Sequence, residues 1–480
     1  MKKDKIILVV LVLIFTFLMV YSPHIGYKYP FHIDEWRHIT ESKRLAQGEL
    51  PEGPLIFELG FDVFLLLISK LSFDLVLAYK FFPALFACIS SLMLFFLMNK
   101  TAKKFYIALF SMIFFASLKS NVNIMGLWFF SPMTFAIPLI YLFFWLFSEA
   151  VEKNKIKLFY WSFFVYFIIL VSHPISATFM IPILIIYLII KKKFVIKNYK
   201  ALLIFLAAPI LLFAITFKFL WRGSLVKTIT LLSNYIVFKY GWGVLELDYN
   251  IIIFYGILSF LLAIFGAYFA YRKKQYIFII WPSTLLILIL LFNILKFSIL
   301  VPYQRLLYYT MLGLVPLSAI GLYYVSILLK NTLMKLKINF KEKRLLINII
   351  VACVVFIFIF AAFHNYFYLE KQVELYKVID DNSYEAIRFL RNYPKSLVLA
   401  PVHTSTAIPA ISGHDIIATL YFYNLNNRKI VEDAYSSGNC SKIIELAQQK
   451  NATFILNDVS METCGLDEVY NKGYYIYKVQ

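Results

Sequence analysis

Charge is what this sequence has least of. Only 15% of its 480 residues are Asp, Glu, Lys or Arg, while 61% are hydrophobic. Mean hydropathy is +0.75. This balance excludes a soluble globular domain for most of the chain. Acids are scarcer than bases, 27 against 47, which leaves a net charge of +20. Such an excess can signal a nucleic-acid partner. No basic face interleaved with stacking aromatics is present, so no nucleic acid is expected. Short alternating strands are missing as well, which argues against a transmembrane barrel. No internal repeat or low-complexity linker occurs. No small-x-small cleavage site follows the first apolar stretch, residues 6–21, so it reads as a retained helix rather than a signal peptide. Cysteines number four. Cys88 and Cys353 fall in apolar runs and read as packing residues, whereas Cys440 and Cys464 lie where a disulfide can form.

What the chain does have is a recurrence of apolar runs long enough to cross a bilayer. Basic tufts separate them: "MKKDK" (1–5), "KTAKK" (100–104), "EKNKIK" (152–157), "KKKFVIK" (191–197), "RKKQ" (272–275) and "KNTLMKLKINFKEKR" (330–344). Placing every tuft in the cytoplasm follows the positive-inside rule. It predicts eleven membrane segments, near 6–22, 80–98, 105–120, 124–148, 158–172, 175–190, 201–220, 251–271, 276–295, 306–329 and 345–363. The N-terminus is then cytoplasmic and the C-terminal region external. One stretch conflicts, "PLIFELGFDVFLLLISKLSF" (54–73). Counting it as a span would invert every later tuft, and its Glu58 and Asp62 are costly in lipid. An interfacial or re-entrant helix is expected instead.

The expected fold is therefore an α-helical polytopic membrane protein with a small C-terminal α/β domain. Residues 1–363 form the transmembrane domain, with external loops at 23–79 and 221–250. Residues 364–480 form a soluble external domain, with helices at 382–392 and 440–449 and strands at 396–402, 452–458 and 474–480.

Titratable chemistry is concentrated in "FHIDEWRHIT" (31–40). If a helix starts near Ile33, Asp34 and Glu35 occupy its first turn, where the dipole favours ionised carboxylates. Asp34, His38 and Glu41 then share a face. A carboxylate so placed can act as a general base toward an acceptor hydroxyl. The plainer alternative is a solvated interfacial helix with capping acids. Arg37 and His38 are candidate substrate-binding groups beside them. His32, Asp34, His38 and Glu41 can also supply metal ligands, although the spacing matches no standard site. A divalent metal stays open as a cofactor, and none is assigned.

Arg305, in "VPYQRLLYY" (301–309), sits at the mouth of a membrane helix. Its planar fork suits a phosphate, and snorkelling to the headgroups is the alternative. Tyr303 beside it reads either as part of that site or as an interfacial aromatic. His173, in "VSHPISA" (171–177), can bond a sugar hydroxyl or satisfy backbone groups at a tight turn. Arg222, Lys227 and Lys239 lie in the 221–250 loop, where charges meet an anionic ligand or water. "SGHDII" (412–417) reads as a surface turn carrying His414 and Asp415.

Taken together, these features resemble the polytopic glycosyltransferases of the GT-C type, which include the protein O-mannosyltransferases and the lipid A aminoarabinose transferases. The resemblance rests on the Asp34–Glu35 pair after the first helix, then Gly48, Pro51 and Pro54–Leu55, and on Arg305 before "MLGLVPLSAIGL" (311–322). A C-terminal external domain fits as well. It implies a polyprenyl- or dolichyl-phosphate-linked sugar as donor and a protein, lipid or glycan as acceptor. It further implies Asp34 as base, Glu35 as its polar partner, Arg305 on the phosphate, and inversion in a single displacement on the non-cytoplasmic face of the cell envelope. One departure stands out. The loop "SLKSNVNIMG" (117–126) lacks the acid that relatives often carry there. The competing class is a transporter or flippase of a lipid-linked glycan. Such proteins hold polar residues at mid-membrane, whereas here the acids cluster in a loop.

Overall fold

The computed structural model describes residues 3–50, 58–71, 74–121, 124–216, 237–239, 250–335, 343–364, 366, 377–420, 425–461 and 465–479. The chain packs as two units. Met1–Pro23, Ile56–Gly60 and Phe82–Leu369 make up the first. His24–Leu55, Phe61–Phe81 and Glu370–Gln480 make up the second.

The first unit is built from apolar helices, because a backbone in lipid must bond within its own segment. Among the described residues six helices are long and apolar enough to cross a membrane: Lys3–His24, Leu75–Ala102, Pro132–Lys153, Tyr276–Leu295, Tyr303–Lys335 and Arg344–Phe363. Shorter apolar helices include Phe105–Ala116, Ile156–Ser172, Pro174–Ile190 and Ile257–Arg272. The protein is a multi-pass membrane protein. The segment expected at 124–148 starts later. Its helix opens at Pro132, with Ser131 N donating to Thr134 Oγ1 at 2.8 Å. Proline there needs no amide partner, and the residues before it form a loop instead. The doubtful stretch at 54–73 contributes the helix Leu59–Ser69, 11 residues long. At 1.5 Å per residue that is about 16 Å, roughly half the hydrocarbon thickness, so as a helix it is too short to span.

The tightest crossing in this unit is between Ile257–Arg272 and Tyr303–Lys335. A Cβ on Gly266 would lie 1.8 Å from the Leu317 carbonyl oxygen, and one on Gly321 would lie 2.0 Å from that of Leu262. Only glycine permits this approach. The close contact also lets Ser318 Oγ donate to Ser259 O across the crossing at 2.8 Å, while Tyr255 OH meets Ser318 Oγ at 2.8 Å. Small residues and hydroxyls of this kind are how helices adhere where lipid removes the hydrophobic drive.

In the second unit a five-stranded sheet runs in the order Asp415–Ile416, Leu397–Leu399, Phe454–Asn457, Tyr475–Lys478, Asp467–Asn471. The first two pairings are parallel and the last two antiparallel. Leu399, Ile455 and Tyr477 pack with Leu446 and Ala447 of the helix Cys440–Gln449 to form its core. The strands and helices expected here form at their expected places. The sequence reading missed Asp467–Asn471, whose three central residues are all half-buried and show no alternation, and the two-residue Asp415–Ile416. The surface turn expected at 412–417 is corrected. His414 is buried, its Nδ1 accepting from Ser396 N at 3.1 Å and its Nε2 donating to Leu390 O at 2.9 Å. Cys440 is disulfide-bonded, and Cys88 and Cys353 are free. Cys464 lies outside the described residues.

The segment after the first helix belongs to this second unit. Tyr27 OH donates to Ile379 O at 3.0 Å, Lys28 pairs with Asp381 at 2.8 Å, and Tyr384 OH donates to Asp74 at 3.2 Å. Lys43 Nζ donates to Ala410 O. Burial, with Arg391 nearby, lowers Lys43 from 10.5 to about 8. The unfolded chain therefore binds the proton between about pH 8 and pH 10.5 where the folded chain does not. Stability from this group rises with pH across that window and its cost is fully present below it. Wild-type protein should gain stability relative to Lys43→Met on going from pH 8 to pH 10.5. Parallel unfolding curves for the two proteins over that range would remove Lys43 as the cause.

Candidate active site

"FHIDEWRHIT" does start a helix, Ile33–Ala46. Its opening is held by a reciprocal cap. Glu35 Oε2 accepts from Phe31 N at 2.7 Å and His32 N at 2.8 Å, and His32 Nδ1 accepts from Asp34 N at 3.1 Å. Glu35 is fully buried. Its carboxylate satisfies orphan amides at the helix start, so it positions the turn that carries Asp34 rather than facing a reactant. The Asp34 side chain, by contrast, is 30% exposed. Its carboxylate lies 3.6 Å from His32 Nδ1 and 3.9 Å from Arg37 Nη1.

Arg37 leads inward. Its Nη2 donates to His38 Nε2 at 2.9 Å. Because Arg donates there, the His38 proton sits on Nδ1, which donates to Asp62 Oδ1 at 2.6 Å. Both His38 and Asp62 are buried. Burial pushes the Asp62 carboxyl well above its usual range, and the Arg37 charge opposes that push. The result is a chain of contacts, Asp62 to His38 to Arg37 to Asp34, that fixes one ring orientation and one guanidinium position beside the exposed carboxylate. Asp62 was legible only as an expense in an apolar run. An acid in such a run implies a partner, but the partner lies 24 residues away and only folding identifies it. Asp62→Leu leaves the His38 N–H unpaired in apolar surroundings and is expected to destabilise by about 1–3 kcal/mol. Asp62→Asn keeps an acceptor and should fold nearly as well. Chemical unfolding distinguishes the two, and equal stabilities would dismiss the hydrogen bond.

The metal reading of His32, Asp34, His38 and Glu41 does not fit. Both His38 nitrogens are occupied, His32 Nδ1 serves the helix cap, and Glu41 pairs with Arg44 at 3.3 Å. Among the described residues no group of three or more His, Cys, Asp or Glu is disposed to hold a metal ion.

The remaining candidates lie in the first unit. Arg305 stands in the first turn of Tyr303–Lys335. Its Nη1 donates to Ile124 O at 2.7 Å and its Nη2 approaches Met125 Sδ at 2.8 Å. The loop without an acid thus meets this guanidinium through two neutral atoms. The loop is itself folded tightly: Asn121 N donates to Met125 O at 3.1 Å, and Ile124 N to Asn121 Oδ1 at 2.9 Å. Tyr303 is buried and stacks on Phe292, with centroids 4.1 Å apart. His173 is also buried, at the joint between Ile156–Ser172 and Pro174–Thr178. Its Nδ1 meets Ser176 Oγ at 2.7 Å, and Ser176 Oγ meets Tyr309 OH at 2.6 Å. These contacts hold the Tyr303 ring and the His173 imidazole in place. Arg222 and Lys227 fall outside the described residues, and the loop's strand Val237–Lys239 pairs antiparallel with Phe297–Ile299.

No family model matches the sequence, and no curated protein matches it significantly. Its fold does match solved structures. ArnT from Cupriavidus metallidurans bound to undecaprenyl phosphate aligns with a TM-score of 0.61 at 10% identity, covering 100% of this chain and 99% of that one. The oligosaccharyltransferase AglB from Archaeoglobus fulgidus, in complex with an inhibitory peptide and a dolichol-phosphate, gives 0.56 at 13% identity, covering 96% and 70%. The Archaeoglobus enzyme tethered with an acceptor peptide gives 0.52 at 13% identity, covering 95% and 70%. These neighbours are GT-C glycosyltransferases, and the chain has their membrane fold.

Proposed function

We propose that this chain is a membrane glycosyltransferase that moves a sugar from a polyprenyl-phosphate-linked donor to an acceptor hydroxyl on the non-cytoplasmic face. One observation carries the reading. In a chain whose fold matches such transferases over nearly its whole length, the part-exposed Asp34 is held at a helix start by groups that all serve to orient it. Asp34 takes the proton of the acceptor hydroxyl as that oxygen bonds to the anomeric carbon. The bond from that carbon to the phosphate oxygen breaks, and its electron pair leaves with the polyprenyl phosphate. The product has inverted configuration. A phosphate is already a good leaving group, so charge stabilisation matters more than a general acid, and Arg305 is the residue assigned to it. Arg37, steadied by His38 and Asp62, binds the sugar or the acceptor beside Asp34. The acceptor is a protein, lipid or glycan. The topology has the N-terminus in the cytoplasm and residues 364–480 outside.

Membranes containing the protein should transfer label from a polyprenyl-phosphate sugar to an acceptor. Movement of the labelled lipid across the bilayer without transfer would replace the enzyme with a flippase. Arg305→Lys keeps the charge but loses the fork that holds Ile124 and Met125. It should weaken donor use by about tenfold or more, the worth of one hydrogen bond to a charged group. Unchanged donor kinetics would return Arg305 to a headgroup anchor.

A further inference from the structure

Lys119 lies in the loop that holds Arg305, yet it is not part of that contact. It is only 7% exposed, and among the described residues it has no carboxylate or hydrogen-bond partner. It lines a cavity of about 350 Å³ whose other walls include Ile253, Gly256, Ile257, Phe360 and His364. Ile253 is 65% exposed and Phe360 67%. In a membrane protein such exposed apolar walls suit acyl chains. Burial also lowers the Lys119 ammonium from its usual range.

An ammonium held among apolar walls without a counter-charge is costly. A small inorganic anion would relieve the charge but leave the apolar walls uncovered. An amphiphile satisfies both, with its anionic head on Nζ and its chain along the walls. Among the described residues the cavity lining has no hydroxyl, amide or carboxylate side chain to recognise a sugar. That argues against the glycosylated donor as its occupant. We infer that the Lys119 groove holds the phosphate head of an anionic phospholipid from the surrounding bilayer, with an acyl chain along Ile253, Ile257 and Phe360.

The test uses the full chain in nanodiscs of phosphatidylglycerol and phosphatidylcholine, followed by native mass spectrometry. Wild-type protein should retain a phosphatidylglycerol molecule. Lys119→Met should lower that retention at least tenfold, and Lys119→Arg should preserve it. Equal retention by Lys119→Met overturns the inference. So does displacement of phosphatidylglycerol by added undecaprenyl phosphate in wild type, because the groove would then belong to the donor. If Lys119→Met fails to fold, thermal unfolding of wild type decides. The midpoint should be higher with phosphatidylglycerol than with phosphatidylcholine alone, and identical midpoints overturn the site.

Discussion

Asp34→Asn should abolish glycosyl transfer while leaving the protein folded. Asparagine is nearly the same shape but cannot take up the acceptor's proton. General-base catalysis is typically worth about 10² to 10⁴ in rate, and the loss should fall in that range. The fold should persist because Asp34 is not what caps its helix. That work falls to Glu35 and His32, whose contacts with Phe31 N, His32 N and Asp34 N use none of the Asp34 side-chain atoms. The measurement is transfer of labelled sugar from a polyprenyl-phosphate donor, normalised to the amount of protein in the membrane. More than a tenth of wild-type activity remaining would remove Asp34 as base. Glu35→Gln makes the informative contrast. It weakens the cap, so its first effect should be on stability, with activity falling as a consequence.

Gly266→Ala should damage the membrane unit more than a methyl added to any other described glycine. The new Cβ would sit 1.8 Å from Leu317 O, where backbone meets backbone and no side chain can rotate away. The helices Ile257–Arg272 and Tyr303–Lys335 must separate by more than an ångström. Separation stretches the bond from Ser318 to Ser259 O, which spans the gap. Overpacking a core commonly costs about 1–3 kcal/mol, and this contact should reach or exceed the top of that range because the rigid partner is main chain. Gly321→Ala meets Leu262 O at 2.0 Å and should behave alike. Unfolding in detergent provides the measurement. A variant as stable as wild type would mean that the crossing is looser than described.

Much of this was legible in the sequence, for identifiable reasons. Hydropathy marks membrane helices because lipid leaves the backbone no other partner. Thus helices such as Lys3–Tyr21, Tyr276–Leu295 and Lys343–Phe363 lie close to where they were expected. The helix after residue 31 was readable from its acids and cap residues. The Cys440–Gln449 helix and the strands beside it were readable from their periodicity. Where the reading failed, the cause was a contact distant in sequence. Asp62 looked like an expense until it met His38. His414 looked like surface until Ser396 and Leu390 enclosed it.

The sequence by itself determined that this is a multi-pass helical membrane protein with a small α/β region, and that its titratable residues gather after the first helix. Those properties follow from composition and local periodicity, which need no partner. Only the tertiary structure decided what each polar group does. Glu35 caps, Asp34 is left part-exposed, and Arg37, His38 and Asp62 align beside it. Lys119 lines a cavity with Ile253, Ile257 and Phe360. A polar side chain takes its role from the atom it meets, and in this chain that atom is often many residues away.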